Sequence, residues 1–264
     1  MGRYTAFLIS RFRQWERPVR VGFVLAVVLL VASMLAAAYG PPNWRQPALV
    51  GAFGLLLAAQ FIFMWANRHL VTPFTQAQRL YLTEDFAGAQ QILEELLAAG
   101  KADIRALTLL GNTYRQLGLL AESQEVLTKA LSLDPADPFP LYGFGRTLLI
   151  RGMYAEAASV FEQALTAGAP AITTIDLGEA LYRQGQFERA ASVLRSYRAA
   201  DEPHRVLLVD YLLYRLGEQE RPARERVQAG LSFWQETAQR FQHTPYGQQL
   251  AEDVRHMQAL TEET

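Results

Sequence analysis

The sequence contains no cysteine, which excludes disulfides, thiolate metal ligands and thiol catalysis. Lysine occurs only as Lys101 and Lys129, so arginine supplies almost all of the positive charge. Histidine is also scarce, and no two histidines have the spacing of a metal site such as H-E-x-x-H. The histidines are His69, His204, His243 and His256. Cysteine ligands for a metal are therefore absent, and histidine ligands are scattered.

Motifs of catalysis and nucleotide binding are absent as well. The chain has no P-loop, no G-x-S-x-G elbow and no calcium loop. Gly143-Phe144-Gly145 begins like a dinucleotide-binding motif, but Leu148 stands where the last glycine is required. We therefore predict that the protein is not an enzyme, and we predict no catalytic residue, no cofactor and no metal.

Two long runs without charge occupy the N-terminal quarter of the chain. One spans 19 residues from Val21 to Tyr39, and the other spans Gln46 to Asn67. As a helix, each run is long enough to cross a hydrocarbon layer of about 30 Å. We predict two transmembrane helices within residues 19–67, joined by a short turn at 40–46.

The arginines around these runs predict the orientation in the membrane. Five precede the first run, two follow the second, and only Arg45 lies in the turn. They are Arg3, Arg11, Arg13, Arg17 and Arg20, then Arg68 and Arg79. The positive-inside rule predicts a two-pass protein of the cell inner membrane, with both termini and the remaining chain in the cytoplasm. The competing interpretation is a signal peptide cleaved at Ala36-Ala37-Ala38, which would leave the second span at the new terminus.

Residues 1–18 combine basic residues with apolar positions at helical spacing. The apolar positions are Tyr4, Phe7, Leu8, Phe12 and Trp15. Such a segment either lies in the headgroup layer as a basic amphipathic helix or only orients the first span. Residues 1–69 have seven Arg and one Glu, net +6, whereas residues 70–264 have eighteen Lys and Arg against twenty-five Asp and Glu, net −7. We expect residues 1–67 to contact membrane lipid, and the acidic remainder argues against nucleic acid.

A pattern of small and aromatic residues recurs in the acidic part. Gly145 follows Gly111 by 34 residues, and Gly178 follows Gly145 by 33. The three copies are Leu110-Gly111, Tyr114, Gly118, Ala130 and Pro135; Phe144-Gly145, Gly152, Ala157 and Phe161; and Leu177-Gly178, Gly185, Ala190 and Pro203. An earlier copy around Leu80 and Ala89 lacks the glycine between its two helices.

This pattern resembles the tetratricopeptide repeat, a helix-turn-helix unit of about 34 residues with the motif W-x2-L-G-x2-Y, A-x3-F, P. The resemblance implies an all-α fold in which about four repeats plus a half repeat, at residues 70–217, stack into a right-handed α-solenoid. Glycines such as Gly111 should let paired helices approach closely, and glycines such as Gly118 suit a left-handed helix end. Apolar residues at helical spacing, including Trp234, predict that residues 218–264 form C-terminal helices that cap the last repeat.

The resemblance also selects residues for a binding groove, because this family lines its groove with outward residues of each first helix. The candidate residues are Tyr81, Arg105, Asn112, Arg115, Phe139, Tyr142, Arg146 and Tyr182. Asn112 and Arg146 occupy equivalent positions in successive copies, and with Arg105 they are predicted to hold a carboxylate. The set is similar to the carboxylate clamp of chaperone-binding members but lacks its lysines, so we do not predict a chaperone tail as the ligand.

These features together predict a membrane-anchored scaffold of bacterial type. Its groove would bind a protein or peptide segment that carries an acidic group or a free carboxylate. The arginine-rich, lysine-poor composition is the basis for a bacterial source. The alternative is an assembly chaperone for an exported or envelope protein, with the solenoid outside the cytoplasm.

Overall fold

The structure is a computed structural model that describes residues 15–67, 72–197 and 202–262. These ranges contain thirteen α-helices and no strand, so the predicted all-α fold is confirmed. The chain divides into two compact units between residues 71 and 72.

The first unit is a pair of apolar helices, α1 (Arg17–Tyr39) and α2 (Pro42–Asn67), which pack against each other. The turn between them is shorter than the predicted 40–46, because α2 already begins at Pro42. Proline suits the first position of a helix, where the backbone N–H that it lacks would have no partner within the helix. Most apolar side chains of both helices are exposed, and both helices are long and apolar enough to cross a membrane.

The predicted amphipathic segment at residues 1–18 lies largely outside the described residues. Trp15, its last apolar position, is described and is buried. Its ring lies edge-on to Phe23 and Phe63, with centroid distances of 5.3 and 5.7 Å. Trp15 therefore packs within the first unit.

The second unit is a series of helical hairpins. Its helices are α3 (Pro73–Leu82), α4 (Phe86–Ala98), α5 (Ile104–Gln116), α6 (Leu120–Leu133), α7 (Pro138–Ile150), α8 (Tyr154–Thr166), α9 (Thr173–Arg183), α10 (Phe187–Ser196) and α11 (Pro203–Arg215). Helices α3 to α10 form four hairpins, and α11 follows them as a half repeat. The first helices α3, α5, α7, α9 and α11 also contact one another in sequence, and we call them the inner layer.

The turns inside the hairpins require a left-handed backbone. Gly118, Gly152 and Gly185 adopt φ values of +77°, +79° and +84°, as the repeat pattern predicts. Glu84 occupies the same position in the first hairpin, 34 residues before Gly118, and adopts φ +62°. A side chain in this conformation costs roughly 1–2 kcal/mol, so the first hairpin carries strain that the others avoid.

The paired helices approach closely at a second set of glycines. A Cβ atom placed on Gly145 would lie 2.6 Å from the ring of Phe161, which is fully buried. Gly111 and Gly178 meet Leu127 and Leu194 in the same way. The predicted close approach of the paired helices is confirmed at all three positions.

The last two helices, α12 (Arg224–Arg240) and α13 (Pro245–Glu262), form a pair that we call the C-terminal hairpin. Helix α12 packs on α11, where Trp234 is buried and its Nε1 donates a hydrogen bond to the carbonyl oxygen of His204 at 2.7 Å. The apolar end of the last repeat is thereby covered, as predicted.

The C-terminal hairpin also extends across the inner layer. Helix α13 contacts α7, and the hydroxyl of Tyr154 donates to Gln249 Oε1 at 2.8 Å. Farther along α13, Asp253 pairs with Arg183 at 2.8 Å, on α9. Leu250 and Met257 are fully buried. Helix α13 therefore covers the inner layer from the third hairpin to α11.

Candidate protein-binding cleft

The part of the inner layer that α13 leaves open forms a cleft of about 280 Å³. Its walls come from the first hairpin, from the C-terminal ends of α5 and α7, and from α12. The lining residues are Tyr81, Leu82, Glu84, Phe86, Arg115, Gln116, Arg146, Ile150, Phe233, Glu236, Thr237, Arg240 and Phe241. We call this feature the cleft.

Aromatic side chains form two of the walls. On one side, Tyr81 packs against Phe86 with the ring centroids 5.3 Å apart, and the guanidinium of Arg240 lies 5.8 Å from the centre of the Phe86 ring. On the other side, Phe233 is stacked on His204 with the ring centroids 3.7 Å apart. Phe233 remains 40% exposed and Leu82 73% exposed, so the cleft presents apolar surface to solvent.

Arg115 lies in the wall of the cleft and is buried, with an exposed fraction of 7%. Its Nη1 donates hydrogen bonds to Asn112 Oδ1 at 2.6 Å and to the carbonyl oxygen of Gly143 at 3.2 Å. Both acceptors are neutral. Burial lowers the pKa of Arg115 from its ordinary value. The Arg146 cation lowers this pKa further, whereas Tyr81, Tyr142 and the Asp176 carboxylate partly offset the decrease.

Arg146 also lines the cleft, but its charge is already paired. Its Nη1 donates to Asp176 Oδ1 on α9, and Asp176 is buried. Burial alone would lower the pKa of Arg146, but the Asp176 carboxylate, together with Tyr142, Tyr246 and Glu179, raises this pKa. Arg146 therefore holds α7 and α9 together.

A second buried charge group attaches α13 to the inner layer. Arg183 is 3% exposed and pairs with Glu179 at 3.1 Å and with Asp253 at 2.8 Å. The hydroxyl of Tyr211 donates to Asp253 at 2.9 Å. Burial alone would lower the pKa of Arg183, but Glu179 and Asp253 outweigh it and raise this pKa. One cation thus joins a carboxylate of α9 to a carboxylate of α13.

Comparison with known proteins identifies the repeating unit. Residues 104–137 match a family model described as a tetratricopeptide repeat, and residues 142–205 match another model with the same description. The chain contains tetratricopeptide repeats. No curated protein matches it in sequence.

One solved structure supports this fold. TTC0263, a thermophilic tetratricopeptide protein of Thermus thermophilus, is 18% identical, with a TM-score of 0.51 over 71% of this chain and 97% of that chain. A MamA structure, MSR-1 C2, is also 18% identical, with a TM-score of 0.45 over 67% of this chain and 93% of that one. At 18% identity, the match to TTC0263 shows a likeness of fold alone.

The structure separates the candidate groove residues of this tetratricopeptide chain into three groups. Tyr81, Arg115 and Arg146 line the cleft. Asn112 does not line it but accepts a hydrogen bond from Arg115 in its wall. Tyr142 and Tyr182 are half-buried and pack on Phe161 and Phe187, with centroid distances of 6.3 and 5.7 Å. Phe139 and Arg105 are exposed, and they do not line the cleft.

Several cleft residues come from α12, which the family pattern does not select. Phe233, Glu236, Arg240 and Phe241 belong to the C-terminal hairpin, and Arg240 Nη1 donates to Gln116 Oε1 at 2.6 Å across 124 residues of sequence. No local pattern in the sequence places α12 beside the second repeat.

Because tetratricopeptide repeats form a non-catalytic scaffold family, the fold indicates protein–protein interaction.

Proposed function

We propose that the protein is a membrane-anchored scaffold that holds a protein or peptide segment in the cleft. The observation that supports it is the exposed apolar surface of Leu82 and Phe233 at the mouth of the cleft. Apolar and aromatic anchors inside a small concave site are typical of peptide recognition. We keep the acidic group or free carboxylate predicted for the partner, since three arginines line the cleft.

In this proposal α1 and α2 are the anchor, and residues 1–67 contact lipid. Our proposed division of the chain remains an amphipathic segment at 1–18, two spans at 19–67, repeats at 70–217 and C-terminal helices at 218–264. The arginine distribution favours the cytoplasmic face of the inner membrane for the repeats. Anchoring would raise the effective concentration of the bound partner near other membrane proteins.

Reporter fusions test the orientation. A cytoplasm-dependent reporter fused after residue 264 should be active, and a periplasm-dependent reporter at the same position should be inactive. The reason is that most arginines lie beside the ends of the two spans that are away from the turn. Fusions within the turn at Gly40 provide the opposite control. A periplasmic result after residue 264 would contradict this orientation and favour the assembly chaperone outside the cytoplasm.

Site-specific crosslinking tests the cleft. A photo-crosslinking amino acid at Leu82 should form a discrete adduct with a partner in cells, whereas one at Leu133 should not. Both leucines are exposed, 73% and 61%, but only Leu82 lines the cleft. Phe233→Ser should reduce the Leu82 adduct several-fold, because it removes an apolar anchor from the opposite wall. Equal adducts from both positions would place the interaction outside the cleft.

A further inference from the structure

We infer that the N-terminal end of α1 binds one anionic phospholipid, with Arg17 and Arg20 holding its phosphate and an adjoining apolar stripe holding an acyl chain. The stripe consists of Val21, Val24, Leu25 and Val28. This inference rests on the proposed membrane anchor, and it adds the class of lipid that the anchor selects and the residues that select it.

The two arginines and the stripe line one open groove of about 580 Å³. They lie on one face of α1, because they recur at intervals of three and four residues. At 1.5 Å per residue, the groove extends from Arg17 to Val28 over about 16 Å. The side chains of the stripe are between 48% and 59% exposed. The groove is therefore charged at one end and apolar along the rest, as a phospholipid is.

The charges of the groove have no counter-charge in the first unit. Glu16 is the only acidic residue before Glu84 in the sequence. Among the described residues, Glu16 forms no ion pair with Arg17 or Arg20. The Nε of Arg20 is shielded from solvent and has no hydrogen-bond partner in the described part of the chain. Because a partly desolvated cation attracts an anion more strongly than a hydrated one, this end of the groove favours a bound anion.

The order of charged and apolar residues along α1 favours a phospholipid over a protein carboxylate. Arg17 is the first residue of α1, and the stripe belongs to the run without charge from Val21 to Tyr39. In the proposed anchor, the arginines lie at the headgroup layer and the stripe lies in the hydrocarbon. A phospholipid has its phosphate and its acyl chains at these same two depths. The phosphate oxygens accept from the forked donors of two guanidinium groups, whereas the ammonium of a zwitterionic headgroup is repelled by them.

Native mass spectrometry of the full chain in detergent tests the inference, with phosphatidylglycerol and phosphatidylcholine of identical acyl chains as the probes. The wild type should retain one phosphatidylglycerol and bind phosphatidylcholine more weakly. The double variant Arg17→Gln and Arg20→Gln should bind phosphatidylglycerol about 10- to 100-fold more weakly, the effect of losing charge-assisted hydrogen bonds. The control Arg45→Gln and Arg79→Gln removes the same charge outside the groove and should bind as the wild type does.

Val24→Trp tests the apolar part, because the larger side chain fills the groove and leaves both arginines in place. It should weaken retention of phosphatidylglycerol several-fold without changing the helix content, which circular dichroism checks. Displacement of the lipid by inorganic phosphate, equal affinity for the two lipids, or equal losses in the two double variants would overturn the inference and leave the membrane anchor standing. Extraction of the wild-type chain from membranes by alkaline carbonate would contradict both.

Discussion

Arg183→Met should lower the free energy of unfolding of the repeat unit by about 3–5 kcal/mol, the usual cost of removing one partner from a buried ion pair. Arg183 is 3% exposed and is the shared cation of Glu179 and Asp253. Without it, two buried carboxylates from α9 and α13 repel each other across the interface. Chemical denaturation followed by circular dichroism measures the loss, and hydrogen exchange should show faster exchange in α13 than in α5.

Arg189→Met is the matched control, because Arg189 and its partner Glu162 are exposed, 56% and 48%. An exposed pair contributes about 0–1 kcal/mol, so this variant should unfold nearly as the wild type does. Replacing Glu179 and Asp253 by Gln and Asn in the Arg183→Met background should restore part of the lost stability, since no unpaired charge then remains. Equal losses for Arg183→Met and Arg189→Met would show that α13 is held by apolar packing alone.

Phe161→Ala should destabilise the repeat unit by about 3–5 kcal/mol, the range for removing a buried aromatic side chain. Phe161 is fully buried, and its ring fills the space over Gly145, where a Cβ would come within 2.6 Å. The alanine variant leaves a cavity between α7 and α8 that the short Gly145 cannot fill. The same denaturation experiment measures the change.

Phe187→Ala provides the comparison for an equally large side chain that is 54% exposed. We expect a loss of about 1 kcal/mol there, because only part of the ring leaves water on folding. A similar loss for both phenylalanines would mean that the third repeat relaxes around the cavity.

The repeats were predictable because their determinants are local in sequence. A hairpin of about 34 residues requires a small residue where its helices touch and a left-handed turn between them, and both requirements leave glycines at fixed spacing. In the first hairpin, which lacks the turn glycine, Glu84 stands at the corresponding position and adopts the same left-handed backbone, with φ +62°. The two apolar runs were predictable for a similar reason, since length and composition alone define them.

The path of the C-terminal hairpin was not predictable from the same information. Helical periodicity indicates that α12 and α13 have apolar faces, but it does not say which surface they cover. The contacts that decide this join distant residues, such as Tyr154 with Gln249, 95 positions apart. The predicted groove residue Arg146 is consequently only 21% exposed, and Glu179, on the inner-layer helix α9, is fully buried.

The hairpin that covers the inner layer lies after every repeat in the chain, and synthesis proceeds from the N terminus. The inner layer from α3 to α11 is therefore synthesised before α12 and α13 exist to cover it. At about 5–20 residues per second, the helices between Arg224 and Glu262 need roughly 2–8 s to be made. During that interval the polar and aromatic surface around Arg183 is open, and a nascent chain of this protein offers a wider binding surface than the finished one.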